Sequence, residues 1–344
     1  MFYSTIDCGT TNSRAYIVDE TGSIFGMAKI NVGVKDTATT GSKQPLREAL
    51  RKIIQDAVIE AGIKPKDLKA VLSSGMITSE IGLYEIPHLM APCTEDMLAQ
   101  TITKVTDTGI VDADIPVFFV RGIKNSMRAG VEAPTAQVGE LDFMRGEEVQ
   151  VVGMTKRKDF EIPGTMVVLS SHTKFIPVGS DGAVLGSLTT MSGQLYDAVM
   201  NHTFVGKSVE KRDNSDEKPQ DYFDESIVEN AIDWIGKGGI VRALMFPRFL
   251  EVLLDTKWYE RHLFYEALIA AEDMLAIDQL SAMCGDFHNC FALVGGKERC
   301  RLYSYVLKRR APNANVNCIS DSNEIDSLSI TGILSIARKA GIVK

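Results

Sequence analysis

Apolar and polar positions alternate at the start of the chain. Phe2-Tyr-Ser-Thr-Ile-Asp7 reads as a short strand, and Asp7-Cys8-Gly9-Thr10-Thr11-Asn12 as a polar turn. Alternation resumes in Ser13–Asp19, breaks at Glu20-Thr21-Gly22-Ser23, and returns in Ile24–Ile30, which predicts a three-stranded meander. The period then changes. Leu46, Leu50, Ile53, Ile54, Ala57 and Val58 fall on one helical stripe between Pro45 and Ala61, with Pro45 suited to the first turn and Gly62 to the stop. Leu68–Ser74 predicts a strand leading to Gly75. The pattern repeats after the middle: a strand Met166–Ser171 enters a polar turn, and a second strand follows over Lys174–Val178. A long helical stretch then runs from Trp258 to Met283, and a strand Cys290–Val294 ends at Gly295-Gly296. Two halves that each open with strand, polar turn and strand suggest duplicated α/β domains.

Composition narrows the picture. A chain of 344 residues suits two ordinary domains, and 45% hydrophobic with 24% charged residues suits full cores. A formal net charge of −8 argues against a nucleic-acid or anionic-membrane surface, which needs a basic stripe. No apolar run approaches the roughly 18 residues needed to span a bilayer. The N-terminus runs straight into a strand without a signal pattern, so a cytoplasmic home is expected. The six cysteines contain no Cys-x-x-Cys pair. The stretch Cys284–Cys290, with His288, offers metal donors, but zinc sites show tighter paired spacing, and reduced thiols are the expectation. The stretch Lys207–Ser226, almost wholly polar over Lys211–Asp221, reads as a mobile surface loop, with a partner-binding segment as the alternative.

Four constellations carry candidate chemistry. In Asp7-x-Gly9-Thr10-Thr11-Asn12-x-Arg14, the glycine permits close approach of backbone N–H groups to a phosphate, and the threonine hydroxyls add donors. An aspartate at the strand end can hold Mg²⁺ through water. A plain hairpin turn has the same composition, and both readings stand. In Arg145-Gly146-Glu147-Glu148, a carboxylate beside a glycine could accept the proton of an attacking hydroxyl. Neighbouring helical residues do not share a face, so only one of the two glutamates can address a given substrate. The alternative is a solvated helix start whose acids suit the dipole. Ser170-Ser171-His172-Thr173-Lys174 offers hydroxyls, an imidazole and an ammonium where a second phosphate turn would lie. Val294-Gly295-Gly296 would let an adenine base lie flat on backbone, or is a plain strand-to-helix turn.

The order of these motifs is that of the actin/hexokinase-type kinases. Within that superfamily the chain resembles the 2-dehydro-3-deoxygalactonokinase family over almost its whole length. The matching stretches are Ile6–Arg14, Gly75–Gly82 with Pro87 and Pro92 following, Met144-Arg-Gly-Glu-Glu-Val-Gln150, His172-Thr-Lys174, Met191-Ser-Gly-Gln194, Asn201–Gly206, Leu268–Glu272 and Leu293–Gly296. The resemblance implies two ribonuclease-H-like α/β domains, residues 1–153 and 154–344, around a central cleft that closes on its substrates. ATP would sit on the second domain and the acceptor mainly on the first. With Mg²⁺, the γ-phosphoryl group of ATP would pass to the terminal hydroxyl of 2-dehydro-3-deoxy-D-galactonate or a closely related sugar acid in galactonate breakdown.

The same resemblance makes Glu147 the general base and gives Asp7 the Mg²⁺. Gly9, Thr10, Thr11, Asn12, Ser171, His172, Thr173 and Lys174 would hold phosphates, and Gly295 and Gly296 adenine. Arg14, Ser79 and Glu80 would contact the acceptor, and Lys35, Arg121 or Arg145 its carboxylate. Two positions depart from the family. Its second phosphate turn reads Pro-Gly-Thr-His-x-Lys where this chain has Ser170-Ser-His-Thr-Lys174, and Gln194 stands where an acid is expected. Serine tolerates positive φ poorly, so that turn has to be built differently. An ATP-binding regulator of this fold without transfer, or a kinase for another sugar, is the alternative. The expected partner is a small-molecule sugar acid, with no nucleic acid or membrane, and a homodimer is the expected assembly.

Overall fold

The N-terminal alternation folds as a meander, β1 (Phe2–Cys8), β2 (Ser13–Asp19) and β3 (Ile24–Ile30), with Asp7 opposite Arg14 across the first antiparallel pair. The structure, a computed structural model, describes residues 1–127, 134–212, 216–285 and 290–344. They form two compact units. The first is Met1–Met166, Ile176–Ser187 and Asp321–Lys344, and the second Val167–Phe175 and Leu188–Ser320.

The first unit adds β4 (Leu68–Gly75), β5 (Leu89–Met90), β6 (Thr103–Val105), β7 (Val117–Phe119), β8 (Ile123–Lys124) and β9 (Phe143–Met144) to the meander strands. The main sheet runs β3-β2-β1-β4-β7-β6, and β5-β8-β9 make a small second sheet. β4 joins β1 in parallel, so Asp7 and Cys8 lie opposite Ser74 and Gly75. The helices are α1 (Val34–Thr40), α2 (Gln44–Glu60), α3 (Glu95–Gln100) and α4 (Glu147–Met154). The predicted stripe of α2, joined by Ala49, is its buried face, packed against Ile6, Ile17 and Val71 of the sheet.

The second sheet runs β12-β11-β10-β13-β14, with β10 (Gly164–Leu169), β11 (Thr173–Val178), β12 (Leu188–Thr190), β13 (Cys290–Gly295) and β14 (Asn315–Ile319). This order repeats β3-β2-β1-β4-β7 of the first sheet, which is the duplication expected from the sequence. The helices α5 (Ser192–His202), α6 (Gly206–Val209), α7 (Glu225–Ala243), α8 (Phe246–Leu254), α9 (Trp258–Asp273), α10 (Leu275–Cys284) and α11 (Lys297–Arg310) follow. A core of Val167, Phe175, Phe264, Leu268, Phe291 and Tyr303 joins sheet to helices. The predicted helix over Trp258–Met283 is two helices that meet at Met274. Residues 213–215 of the polar loop and 286–289 of the cysteine-flanked stretch lie outside the described residues. Among the described residues no group of three or more His, Cys, Asp or Glu is arranged to hold a metal ion, and no helix is long and apolar enough to cross a membrane.

The chain's last helix, α12 (Ser322–Lys339), packs along α4, so Asp321–Lys344 belongs to the first unit. This division differs from a single boundary at residue 153. The physical reason is a close helix crossing. A Cβ on Gly332 would lie 3.0 Å from Gly153 N and overlap the Val149 carbonyl, and a Cβ on Gly153 would lie 3.0 Å from Leu328 Cα. Because α4 carries the two glutamates, α12 fixes where they stand. Gly332→Ala is expected to cost about 1–3 kcal/mol of stability through overpacking. Gly236→Ala, in an exposed turn of α7 with nothing within 4 Å of the added methyl, should instead gain about 0.5–1 kcal/mol. Urea midpoints of the two variants check both signs.

Candidate functional site

The turn after β1 is closed by the Gly9 N–H, which donates to Asn12 O at 2.9 Å. The start of α1 is stitched to it: Val34 N–H donates to Gly9 O (3.2 Å) and Lys35 N–H to Thr10 O (2.9 Å). Thr10, Thr11 and Asn12 are exposed, and the Asn12 amide donates to Thr11 Oγ1 at 3.2 Å. The Lys35 side chain is exposed beside them.

Asp7 ends β1 next to Gly75 of β4, and α4 begins over this pair of strand ends. Gly75 and Gly146 both take positive φ, +92° and +113°, which glycine alone adopts without strain. They also touch: a Cβ on Gly146 would lie 3.3 Å from Gly75 Cα. The first turn of α4 is thereby brought down onto the strand ends with Glu147 and Glu148 in it. Glu148 is fully buried, and both its carboxylate oxygens accept from the Gly146 N–H, at 2.9 and 2.8 Å. Burial pushes its carboxyl up to about 8, helped by the charge of Glu147 and opposed by the backbone hydrogen bonds and Arg145. A solvated helix start is therefore not what Glu148 forms. It ties α4 to its own N-cap. Glu147 differs, since its Oε2 is buried and has no hydrogen-bond partner.

The same charge reaches Asp7, whose carboxyl is pushed up to about 6. Burial is the main cause, Glu147 and Asp326 add to it, and Arg14 opposes it. Arg14 does not stand alone as a substrate contact. Its guanidinium pairs with Asp326 of α12 at 3.0 Å. Asp7 and Asp326 thus stand beside Arg14, Glu148 beside Arg145, and the charge of Glu147 reaches both Asp7 and Glu148.

The remaining candidates of this unit divide. Ser79 is buried and its hydroxyl donates to Met76 O at 2.7 Å, whereas Glu80 is exposed. Arg145 donates to Thr78 Oγ1 (2.6 Å) and Ile86 O (2.9 Å), and Arg121 to Pro87 O (2.7 Å). These bonds hold the loop 76–88. His88, which the sequence reading passed over, lies beside Arg145, Lys124 and Arg121. Burial and these charges drive its imidazole down to about 4, and its Nε2 is buried without a partner.

In the second unit the turn 170–174 is built without a left-handed residue, since neither serine takes positive φ. Ser170 Oγ donates to His172 O at 3.0 Å, and Ser171 Oγ lies 3.4 Å from His172 Nδ1. Arg299 of α11 clamps the turn, donating to Ser170 O (2.7 Å) and Thr173 Oγ1 (2.9 Å). The close approach comes from another residue, Gly193 in the first turn of α5, where a Cβ would lie 2.8 Å from Ser171 Cα. The Gln194 N–H donates to Ser171 O at 2.9 Å, so position 194 bonds to the turn through its backbone. Thr173 and Lys174 are buried, with Lys174 Nζ donating to Thr189 Oγ1 at 2.6 Å. Thr173 Oγ1 lies 3.5 Å from the Tyr303 hydroxyl, which donates to the buried Asp273 at 2.5 Å. Ser170, Ser171, Gly193, Tyr196, Glu266 and Arg299 line a cavity of about 320 Å³. Gly295 packs on β10, where a Cβ would lie 2.8 Å from Leu169 O, and Gly296 is the open N-cap of α11.

Comparison with known proteins places this arrangement. The first curated relative, a Rhizobium meliloti (strain 1021) protein assigned as 2-dehydro-3-deoxygalactonokinase DgoK1, is 26% identical over 217 residues, 62% of this chain and 60% of the relative. The 2-dehydro-3-deoxygalactonokinase of Escherichia coli (strain K12) is 23% identical over 222 residues, 62% of this chain and 61% of the enzyme. The match therefore spans about three fifths of these relatives' own length. A Sinorhizobium meliloti crystal structure assigned to the 2-dehydro-3-deoxygalactonokinases superposes with a TM-score of 0.71 at 20% identity, covering 98% of each chain. The Acidaminococcus fermentans (R)-2-hydroxyglutaryl-CoA dehydratase component A gives 0.51 at 12% identity over 99% of each chain. These likenesses establish the actin/hexokinase-type fold. The family model of 2-keto-3-deoxy-galactonokinase matches residues 7–334, and the chain belongs to that family.

Proposed function

We propose that this protein transfers the γ-phosphoryl group of ATP to the terminal hydroxyl of 2-dehydro-3-deoxy-D-galactonate or a closely related keto-deoxy sugar acid. The observation that carries the reading is Glu147. A buried carboxylate oxygen with no partner, at the tip of a helix seated on two strand ends, is an acceptor waiting for a donor that the protein does not supply. A substrate hydroxyl is such a donor, and Glu147 takes its proton as the oxygen attacks. The names of the two curated relatives support the substrate class.

The donor set fits Mg²⁺ held through water. The Asp7 carboxyl is driven toward its neutral form by burial and by Glu147 and Asp326, a repulsion that a divalent cation would relieve. When bound, Mg²⁺ neutralises phosphate charge. The chain's own residues do the rest by positioning and by electrostatics, which dominate phosphoryl transfer. Asp7 orients the hydrated metal. Thr10, Thr11 and Asn12 present donors to the transferred phosphate, and Gly9, whose N–H closes the turn on Asn12 O, leaves room for its close approach. The turn 170–174, clamped by Arg299, holds the nucleotide phosphates, and the adenosine enters the 320 Å³ cavity beside α11, with Gly296 at the helix start. Of the three candidate cations, Arg121 and Arg145 are engaged in the loop 76–88, so Lys35 is assigned to the substrate carboxylate. The alternative of a regulator without transfer rested on the altered second turn, and that turn is fully bonded, with Gly193 providing the approach that the missing glycine would have given. We place this reaction in the cytoplasm, as the sequence leads one to expect.

With Mg-ATP, a panel of six-carbon keto-deoxy acids should stimulate ADP release. Tight ATP binding with no stimulation by any acid would identify a regulator instead. Glu147→Gln should lower kcat by roughly 10²–10⁴-fold with ATP affinity kept within a few-fold. Glu148→Gln should keep most of kcat, because Glu148 serves the Gly146 N–H, and its effect should appear in the pH dependence of stability. Glu148 keeps its proton in the folded state up to about pH 8 but loses it near 4.5 when unfolded, so it lowers stability progressively between these values. The Glu148→Gln variant should therefore gain on the wild type between pH 5 and 8, by at most about 1.4 kcal/mol per pH unit. Urea melts at pH 5, 6.5 and 8 measure that slope. Asp7→Asn should fold and bind ATP while raising the Mg²⁺ concentration for half-maximal rate at least tenfold. An unchanged Mg²⁺ curve would remove Asp7 from the metal site.

A further inference from the structure

The second unit holds a pair of thiols that the proposed reaction does not use. Cys318 lies on β14 and is exposed. Cys300 lies on α11, which packs over β13 and β14, and is buried. The Cys318 thiol donates to Cys300 O at 3.8 Å, so its sulfur lies against the backbone of the residue that carries the second thiol. Cys300 Sγ is otherwise directed at the end of β13, 3.4 Å from Gly295 O and 3.8 Å from Leu293 O. Cys318 opens into a cavity of about 580 Å³ whose wall includes Lys297, Arg301, Ser304 and Ser320, so a small molecule can reach it.

The surroundings set the two sulfurs apart. The Cys300 thiol is the main cause that holds Cys318 down to about 7, with Lys308 and Ser304 adding and burial opposing, while Cys300 itself is pushed up. Cys8 and Cys93 are pushed up by burial, to about 12 and about 11. Thiolate, not thiol, is the nucleophile, so near neutral pH this arrangement makes an exposed nucleophile beside the residue that carries a buried thiol.

We infer that Cys318 is a reactive-thiol site that takes hydroperoxides, and that Cys300 resolves the product as an intramolecular disulfide. The Cys318 thiolate attacks a peroxide oxygen. An S–O bond forms, the O–O bond breaks, and the departing oxygen leaves as water or an alcohol after taking a proton. The sulfur is now a sulfenic acid. The Cys300 sulfur attacks it, forming the S–S bond and breaking the S–O bond. The hydroxide leaves as water with the Cys300 proton. Two thiols lose two electrons and one peroxide is reduced. The bond ties α11 to β14 and removes the Cys318 thiol from the cavity, and a dithiol reductant reverses it. This site stands whether or not the chain transfers phosphate.

The test uses the full chain at pH 7 with equimolar hydrogen peroxide. Intact mass should fall by two hydrogens, peptide mapping should join Cys300 to Cys318, and dithiothreitol should restore the mass. Cys300→Ser should stop the reaction at a Cys318 sulfenic acid trapped by dimedone, and Cys318→Ser should abolish both products. Without peroxide, iodoacetamide should label Cys318 of the native protein at least tenfold faster than Cys8 or Cys93. Equal labelling rates, an unchanged mass after peroxide, or oxidation that survives in Cys318→Ser would each overturn the assignment.

Discussion

The contact between Gly75 and Gly146 is the constraint on which the first unit's chemistry depends. A Cβ on Gly146 would press on Gly75 Cα at 3.3 Å and one on Gly75 would overlap Cys8 O, and both residues take a positive φ that favours glycine. The approach puts the N-terminus of α4 on the ends of β1 and β4, and so brings the charge of Glu147 to bear on Asp7. Charges of one sign do not gather without something holding them. Here the holders are the Gly146 N–H on Glu148, the Arg14–Asp326 pair beside Asp7, and the glycine crossing of α4 with α12. The result is two carboxyls with raised proton affinity, Asp7 and Glu148, and one unpartnered oxygen on Glu147, the pattern found where a fold keeps electrostatic strain for function.

The second unit solves a parallel problem by other means. Its sheet repeats the strand order of the first, so a hairpin turn again lies beside a strand end and a helix start. The glycine sits on the helix side at Gly193 instead of in the turn, and Arg299 supplies the bonds that keep the turn in shape. Close backbone approach is what the geometry requires, and either partner can provide it. That is why a Ser-Ser turn keeps the shape in a chain whose family carries a glycine there.

Much of this was legible in the sequence, and the limits have physical reasons. The meander, the α2 stripe and the repeat of strand, turn and strand followed from local periodicity, which burial enforces residue by residue. The turns at 9–12 and 170–174 and the pair Glu147–Glu148 were visible because hydroxyl, charged or acidic residues interrupt the apolar pattern beside strands or helix starts. The roles within them were less so. Arg14 read as a substrate contact because nothing local shows that Asp326 lies beside it, 312 residues later in the chain. Ser79, Arg121 and Arg145 entered as ligand groups through the resemblance, and their bonds to Met76, Pro87, Thr78 and Ile86 could not be read from the sequence because they depend on the folding of loop 76–88. The return of α12 to the first unit is invisible to periodicity, since only the matched glycines of two distant helices record it.

The central claim is that Asp7 and Glu147 form a charged pair completed by a hydrated metal. The most direct measurement is a ¹³C carboxyl titration of Asp7, without and with Mg²⁺ and a non-hydrolysable ATP analogue. The account predicts a midpoint near 6 in the protein alone and a fall of at least one pH unit in the loaded protein. A midpoint that is ordinary for an aspartate from the start, or one that the metal nucleotide leaves unmoved, would contradict it.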